Sequence, residues 1–214
     1  MLHCQDLTCV REERILFNSL NFKISSGQIV QVEGPNGVGK TSLFRLITGL
    51  SLPYSGAIFW QGENINDDRE TFYQNLLYLG HKTGVKPELT AFENLQFFQI
   101  MQGRTKLCSE SSLFETLAKV GLTGYEDIPT AQLSAGQQRR VALARLWLND
   151  CSLWILDEPF TAIDKAGVAI LEALFIDHAK KGGIVLLTTH QDLTISGDLF
   201  SKIRLEKEGN RRYV

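Results

Sequence analysis

The sequence of 214 residues lacks several features that would each assign a chain to a class. No apolar run approaches the roughly 18 residues that span a bilayer, and the first residues show no basic region followed by an apolar stretch. Neither sign of charge is in large excess, because the chain has 22 Lys and Arg and 24 Asp and Glu. We therefore expect a globular protein of the cytosol with no bulk attraction to nucleic acid or to anionic lipid.

The four cysteines form neither a CxxC pair nor a cluster with histidine at zinc-finger spacing. We expect all four to be reduced structural thiols. Cys4 and Cys9 are five positions apart in a predicted strand, so we expect their side chains on opposite faces of that strand.

Strand and helix patterns alternate along most of the chain. Alternating or continuous apolar residues predict strands, and apolar residues at helical spacing predict helices. This alternation is typical of an α/β fold with a mostly parallel central sheet. The predicted strands include 28–33, 152–157 and 184–190, and the predicted helices include 41–50 and 164–181.

Helical patterns separated by turns replace this alternation between about 82 and 132. They predict a helical subdomain inserted in a single catalytic domain that covers 1–214. Within it, two matches to the capping box S/T-x-x-E predict helix starts at Thr90 and Ser112.

The segment GPNGVGKTS matches the phosphate-loop pattern G-x-x-x-x-G-K-[ST] and lies between a predicted strand and a predicted helix. Its glycines let successive backbone N–H groups turn towards phosphates, Lys40 can reach the β- and γ-phosphates, and the Thr41 hydroxyl can ligate Mg²⁺. The start of the following helix adds its partial positive charge. The predicted nucleotide-binding residues are Gly34, Pro35, Asn36, Gly37, Val38, Gly39, Lys40, Thr41 and Ser42.

The apolar strand SLWILD ends in Asp157, and a second acidic residue, Glu158, follows directly. The carboxyl end of a strand is where open α/β sheets bind ligands, so Asp157 can hold the hydration shell of Mg²⁺. Adjacent side chains on a strand diverge, which directs Glu158 towards the γ-phosphate as a base or a water-orienting group. An ordinary turn is the alternative interpretation, and the phosphate loop makes it the weaker one.

The octet LSAGQQRR at 133–140 predicts a second helix start that could bind phosphate. Ser134 and the backbone N–H groups near Gly136 would face the anion. The alternative is an N-capped helix with arginines on a solvated face. Those arginines are Arg139, Arg140 and Arg145.

This octet resembles the LSGGQ signature of ATP-binding-cassette (ABC) ATPases, with one Gly replaced by Ala. TAID at 161–164 resembles the D-loop of that family, and TTH ending at His190 resembles its switch-histidine loop. The resemblance spans about 7–199. It implies a P-loop NTPase fold with a mixed central sheet, an N-terminal antiparallel β subdomain and an inserted helical subdomain. It also implies ATP and Mg²⁺ as ligands and catalytic roles for Lys40, Glu158 and His190.

The same resemblance implies a head-to-tail dimer. Ser134, Gly136 and Gln137 of one copy would cover the ATP that the phosphate loop of the other copy holds. Because the chain has one motif of each kind, it would need a second copy to hydrolyse ATP.

Two positions depart from the family pattern. His81 lies where most cassettes have the Gln that senses Mg²⁺, and it could hold the metal's water shell or be a simple turn residue. No aromatic residue lies where one usually stacks on adenine. A guanidinium can stack on a base, so Arg11 or Arg14 is a candidate, and a charged turn is the alternative.

Several strings together resemble the small cassette subunit of the bacterial cytochrome c maturation haem exporter: REERILF, YLGHKTGVK, LTAFENLQFF and LWILDEPFTAID. This resemblance implies integral membrane partner subunits, a peripheral location on the cytoplasmic face of the inner membrane, and an indirect link to a periplasmic haem chaperone. The sequence has no CxxCH motif for haem attachment, so the link to haem rests on the resemblance alone. Another small exporter and a soluble cassette ATPase stay open as alternatives.

Overall fold

The computed structural model describes residues 1–102, 107–195 and 197–206. These residues form two compact units. The first comprises Met1–Tyr78, Cys151–Glu158 and the described residues from Leu171 onward, and the second comprises Pro159–Ile170 and the described residues of Leu79–Asp150. Within the described ranges, no helix combines the length and the apolar character needed to cross a bilayer.

The strands, in chain order, are β1 (Leu2–Arg11), β2 (Arg14–Ile24), β3 (Ile29–Glu33), β4 (Ser55–Trp60), β5 (Glu63–Asn64), β6 (Leu76–Leu79), β7 (Leu153–Asp157), β8 (Ile184–Thr188) and β9 (Phe200–Arg204). The α-helices are α1 (Lys40–Ile47), α2 (Arg69–Gln74), α3 (Ala91–Met101), α4 (Glu110–Lys119), α5 (Ala135–Ala144) and α6 (Lys165–Lys180). Short 3-10 helices cover Thr130–Gln132 and Arg145–Trp147.

The N-terminal strands form an antiparallel sheet with the order β2-β1-β4-β5. Register shifts interrupt the pairing of β1 with β2, and Asp6 has a φ of 48° within β1. Such bulges change which face the later side chains occupy. Cys4 and Cys9 are therefore both buried in one core, and the expectation of opposite faces is wrong. All four cysteines are free, as expected.

The second sheet has the order β6-β7-β8-β3-β9, and its pairs β7/β8, β8/β3 and β3/β9 are parallel. The predicted elements of this sheet are confirmed to within a few residues. Helix α1 buries Phe44 and Ile47 in the core of the first unit, but it stops before Leu50, which is 53% exposed. The stop is explained by Gly49, whose φ of 68° takes the chain out of the helix. Parallel pairing brings the carboxyl ends of β3, β7 and β8 to one edge of the sheet.

In the second unit, α3, α4 and α5 pack around a shared apolar core. Thr90 caps α3 with Glu93 in the reciprocal capping box that the sequence predicts. The box predicted at Ser112 is wrong, because Ser109 caps α4 and its hydroxyl accepts the N–H of Ser112 at 3.3 Å. The earliest serine of the run takes the cap, so Ser112 lies in the first turn.

Trp154 on strand β7 stacks against His178 of helix α6. The His178 imidazole lies nearly parallel to the Trp154 indole, with ring centroids 3.7 Å apart and an interplanar angle of 9°. Burial lowers the pKa of His178 to about 4, against the opposing effect of backbone hydrogen bonds at Ser152 and Ile184. The histidine therefore supports the strand that ends in Asp157 as a neutral ring.

Candidate functional site

The phosphate loop joins β3 to α1 in the first unit, and close packing shapes it. Gly34 has a φ of 149°, and a Cβ at this position would collide with the carbonyl oxygen of Leu205 and lie 2.9 Å from Val38 Cγ1. Gly39 is the N-cap of α1 and has a left-handed conformation with a φ of 110°. Only glycine fits the first position, so the loop backbone folds back tightly at the end of β3.

The loop presents donors that suit a phosphate. Among the described residues, no acceptor contacts the backbone N–H groups of Gly37, Gly39, Lys40 or Thr41. The Lys40 ammonium bends over the loop and donates to the Gly34 carbonyl at 2.6 Å. Backbone donors at a helix start together with a lysine form an anion site, so the loop fits the phosphates of ATP.

Asp157 is 4% exposed, and hydroxyl groups bind both oxygens of its carboxylate. Thr41 Oγ1 donates to Oδ2 at 3.0 Å, and Thr188 Oγ1 donates to Oδ1 at 2.7 Å. Mg²⁺ prefers hydroxyl, carboxylate and water oxygens, often with phosphate oxygens completing its shell. The pair of Thr41 and Asp157 beside the phosphate loop therefore fits a magnesium ion.

Glu158 and His190 come together at the same edge of the sheet. His190 Nε2 lies 3.5 Å from Glu158 Oε1, and the side chains are 64% and 24% exposed, respectively. Glu158 has a φ of 51°, a conformation that is strained for a residue with a side chain. Its N–H donates to Thr188 Oγ1 at 2.9 Å.

Two further polar residues, missed by the sequence reasoning, hold the segment around His190. Gln31 is buried in β3, and its side-chain amide donates to the Thr189 carbonyl at 3.3 Å. Glu172 is buried on α6, and its carboxylate accepts the N–H and the hydroxyl of Thr194. A polar residue inside an apolar strand or helix was the signal that could have identified them.

The predicted second helix start is present in the second unit. Ser134 caps α5, its hydroxyl accepts the N–H of Gln137 at 3.2 Å, and the Gln137 side chain accepts the N–H of Ser134 at 2.9 Å. Both side chains are thus held at the N-terminus of α5, where a helix favours an anion.

The D-loop segment packs against this helix start. A Cβ added at Gly136 would lie 3.1 Å from the Ala162 carbonyl oxygen. One turn later, Arg140 forms an ion pair with Asp164 at 3.0 Å. The signature and D-loop segments are therefore in direct contact.

Two arginines donate hydrogen bonds to the backbone of the loop that contains His81. Arg139, which is 6% exposed, donates to the Gly80 carbonyl at 2.9 Å, and Arg145 donates to the Gly84 carbonyl at 3.0 Å. Burial lowers the pKa of Arg145 to about 10, so it keeps its charge at neutral pH. The alternative that places these two arginines on a solvated face is therefore wrong. His81 itself is exposed. We name this arrangement, of Arg139 and Arg145 with loop 80–84, the arginine clasp.

Arg11 lies at the hairpin between β1 and β2. It is opposite Arg14 in the strand pairing, its side chain is 70% exposed, and its Nε lies 3.7 Å from the Glu12 carboxylate. Farther along β2, Leu16 Cβ lies 3.2 Å from the position a Cβ would take at Gly39. Strand β2 therefore runs beside the phosphate loop, with the two arginines a few residues upstream.

The predicted site residues are divided between the units. The phosphate loop, Arg11, Asp157, Glu158 and His190 belong to the first unit. His81 and the signature residues belong to the second.

Comparison with known proteins identifies the family of the chain. The model of the ABC transporter family matches residues 17–161. The solved structure of an ATP-binding subunit of an ABC transporter has a TM-score of 0.82 and 27% identity, and the match covers 97% of this chain and 88% of that one. A dimeric cassette in a post-hydrolysis state, bound to ADP and Pi, has a TM-score of 0.80 and 26% identity, with coverage of 98% and 97%.

Curated relatives are more similar still. The cytochrome c biogenesis ATP-binding export protein CcmA of Aliivibrio fischeri is 60% identical over 205 residues, which cover 96% of this chain and 99% of that protein. The Vibrio cholerae protein of the same name is 58% identical, with coverage of 96% and 98%. The chain therefore belongs to the ABC transporter family of ATPases and, within it, to the family of cytochrome c biogenesis ATP-binding export proteins.

Proposed function

We propose that the chain is the ATP-hydrolysing subunit of a transporter for bacterial cytochrome c maturation, where it drives haem export and the release of the periplasmic haem chaperone. The observation that carries the ATPase role is the meeting of Thr41, Asp157, Glu158 and His190 beside the phosphate loop. The names of the relatives support the transport role.

Lys40 and the four residues of this group each have a task in hydrolysis. Lys40 exchanges its carbonyl partners for oxygens of the β- and γ-phosphates. Mg²⁺, when bound, neutralises charge on those phosphates, and Thr41 and Asp157 are the residues that would hold it. The Glu158 carboxylate accepts a proton from the attacking water. At the same time the water oxygen bonds to the γ-phosphorus, and the bond between the γ-phosphorus and the oxygen of the ADP leaving group breaks. His190, beside Glu158, orients that water and the γ-phosphate.

The ATPase role is tested by removing one charge at a time. Lys40→Ala loses a cation that pairs with phosphate, and Glu158→Gln keeps the shape but loses the base, so each should lower ATP turnover at least about a hundredfold. Lys23→Ala and Glu70→Gln change exposed residues of the same unit and serve as matched controls. Near-normal turnover in Glu158→Gln would remove that residue from the reaction.

The active form is a head-to-tail dimer in which Ser134, Gly136 and Gln137 cover the nucleotide of the other copy. The dimeric state of a solved cassette supports this assembly. Mixing Ser134→Arg with Lys40→Ala places both lesions in one composite site of the heterodimer and leaves the other intact. The mixture should therefore regain activity that neither variant has alone. No recovery under conditions of subunit exchange would contradict the dimer.

The dimer binds integral membrane subunits on the cytoplasmic face of the inner membrane and attaches there through protein contacts, with no nucleic acid involved. The exposed His81 replaces the usual Gln, holds the metal's water shell and links the nucleotide to the membrane subunits. His81→Ala should lower basal ATPase by no more than about tenfold, or about 1.4 kcal/mol, yet abolish cytochrome c assembly in cells. His81→Gln should retain more assembly, and full assembly with Ala would refute the role.

The guanidinium of Arg11 stacks on adenine in place of an aromatic ring. Arg11→Ala should raise the KM for ATP with little change in kcat, and Arg11→Tyr should restore it. An unchanged KM in Arg11→Ala would leave Arg11 as a charged turn residue.

A further inference from the structure

A single hydroxyl connects the two acidic residues at the end of β7. Thr188 ends β8, has no exposed surface, and lies directly opposite Asp157 in the parallel pairing. We propose that Thr188 is a positioning residue for ATP hydrolysis that sets both the Asp157 carboxylate and the Glu158 backbone. This inference rests on the proposed ATPase function.

The hydroxyl uses its hydrogen-bonding capacity in two directions. Its one proton goes to Asp157 Oδ1 at 2.7 Å, and one of its lone pairs accepts the Glu158 N–H at 2.9 Å. Thr41 holds the other carboxylate oxygen of Asp157. The carboxylate cannot turn about its last bond without breaking one of these bonds, so its plane is fixed relative to the phosphate loop.

The bond to the Glu158 N–H acts on a strained residue. Glu158 has a left-handed backbone, which is unfavourable unless surrounding contacts hold it. Fixing the peptide group between Asp157 and Glu158 determines the direction in which the Glu158 side chain leaves the backbone. That direction brings its carboxylate to His190.

The strand itself does not require a hydroxyl at this position. Strand β8 has the sequence IVLLT and is buried throughout, so a valine would fill the same β-branched volume. A buried hydroxyl needs partners, and the partners of Thr188 are the two acidic residues of the site. The specific task of this hydroxyl is therefore polar and concerns Asp157 and Glu158.

The test compares three variants of the full chain. Thr188→Val removes the hydroxyl at nearly constant volume, and Thr188→Ser keeps the hydroxyl. Thr48→Val is the matched control, because Thr48 is equally buried in the first unit but donates to the Phe44 carbonyl within α1. The readouts are kcat, the Mg²⁺ concentration at half-maximal ATPase, the Mg²⁺ dependence of binding of a fluorescent ATP analogue, and hydrogen exchange of the peptide that contains Glu158.

Thr188→Val should lower kcat at least tenfold and raise the Mg²⁺ concentration at half-maximal ATPase at least fivefold. It should also weaken the Mg²⁺ dependence of analogue binding and speed hydrogen exchange of the peptide that contains Glu158. Thr188→Ser should recover kcat to within about threefold of the original chain, and Thr48→Val should change only the unfolding midpoint. If Thr188→Val does not fold, Thr188→Ala takes its place with the same expectations.

Unchanged kcat and Mg²⁺ dependence in Thr188→Val would overturn the inference, as would equal losses in the Val and Ser variants or in Thr48→Val. These outcomes are distinct from failure of the proposed function. If the proposed function were wrong, the unaltered chain itself would bind no Mg-ATP and hydrolyse none.

Discussion

Acidification should destabilise the first unit through one residue, His178. In the folded chain its pKa is lowered to about 4 by burial, compared with 6.5 for an ordinary histidine. Between these values the unfolded chain binds a proton that the folded chain does not, so the free energy of unfolding falls as the pH drops from about 6.5 to about 4. The contribution of the neutral ring is fully present above pH 6.5.

The magnitude follows from the pKa difference. At pH 5 the lowered pKa of His178 corresponds to a loss of about 2 kcal/mol. Because the ring is partly exposed, screening by solvent reduces this loss to about 1 kcal/mol. His178→Gln removes the titration and also the stack on Trp154, which costs about 1 kcal/mol at pH 7.

The assay is urea unfolding of the original chain and of His178→Gln at pH 8, 7 and 5. The stability gap between the two proteins should be constant from pH 8 to pH 7, where the ring is neutral in both folded and unfolded chains. It should narrow by about 1 kcal/mol at pH 5, because only the original chain loses the contribution of His178. A gap that stays constant down to pH 5 would refute the argument.

Four substitutions test the close packing, helix capping and hydrogen bonding of the two units, each by urea unfolding. Gly34→Ala should cost about 3 kcal/mol, because its Cβ meets backbone, whereas Gly37→Ala has open space and should cost about 1 kcal/mol. Thr90→Ala removes a helix cap and should cost about 1 kcal/mol. Arg139→Met leaves the Gly80 carbonyl without this donor and should cost about 2 kcal/mol. Equal losses at the two glycines, or none at the other positions, would contradict these contacts.

The sequence predicted those parts of the site whose chemistry is local. The glycines, Lys40 and Thr41 form one continuous motif, and the strand that ends in Asp157 is apolar throughout. Such features depend on backbone propensity and hydrogen bonding within a few residues, so the expected strand, loop and helix are present.

The features that were missed depend on residues distant in sequence. The partnership of Thr188 with Asp157 arises from strand register, which sequence periodicity does not determine. The bulges that bring Cys4 and Cys9 into one core depend on pairing with neighbouring strands. The burial of Arg139 could not be predicted, because its acceptor, the backbone carbonyl of Gly80, carries no sequence signal.

The arginine clasp has a consequence for the affinity of any partner that contacts loop 80–84. Ordering one free residue costs about 1–2 kcal/mol of conformational entropy. The clasp holds the carbonyls of Gly80 and Gly84 at both ends of the loop. Most of the conformational entropy of the loop is therefore lost when the chain folds, before a partner binds. A partner that binds the exposed His81 therefore meets a loop already in place, and the energy of the new contacts goes into affinity rather than into ordering.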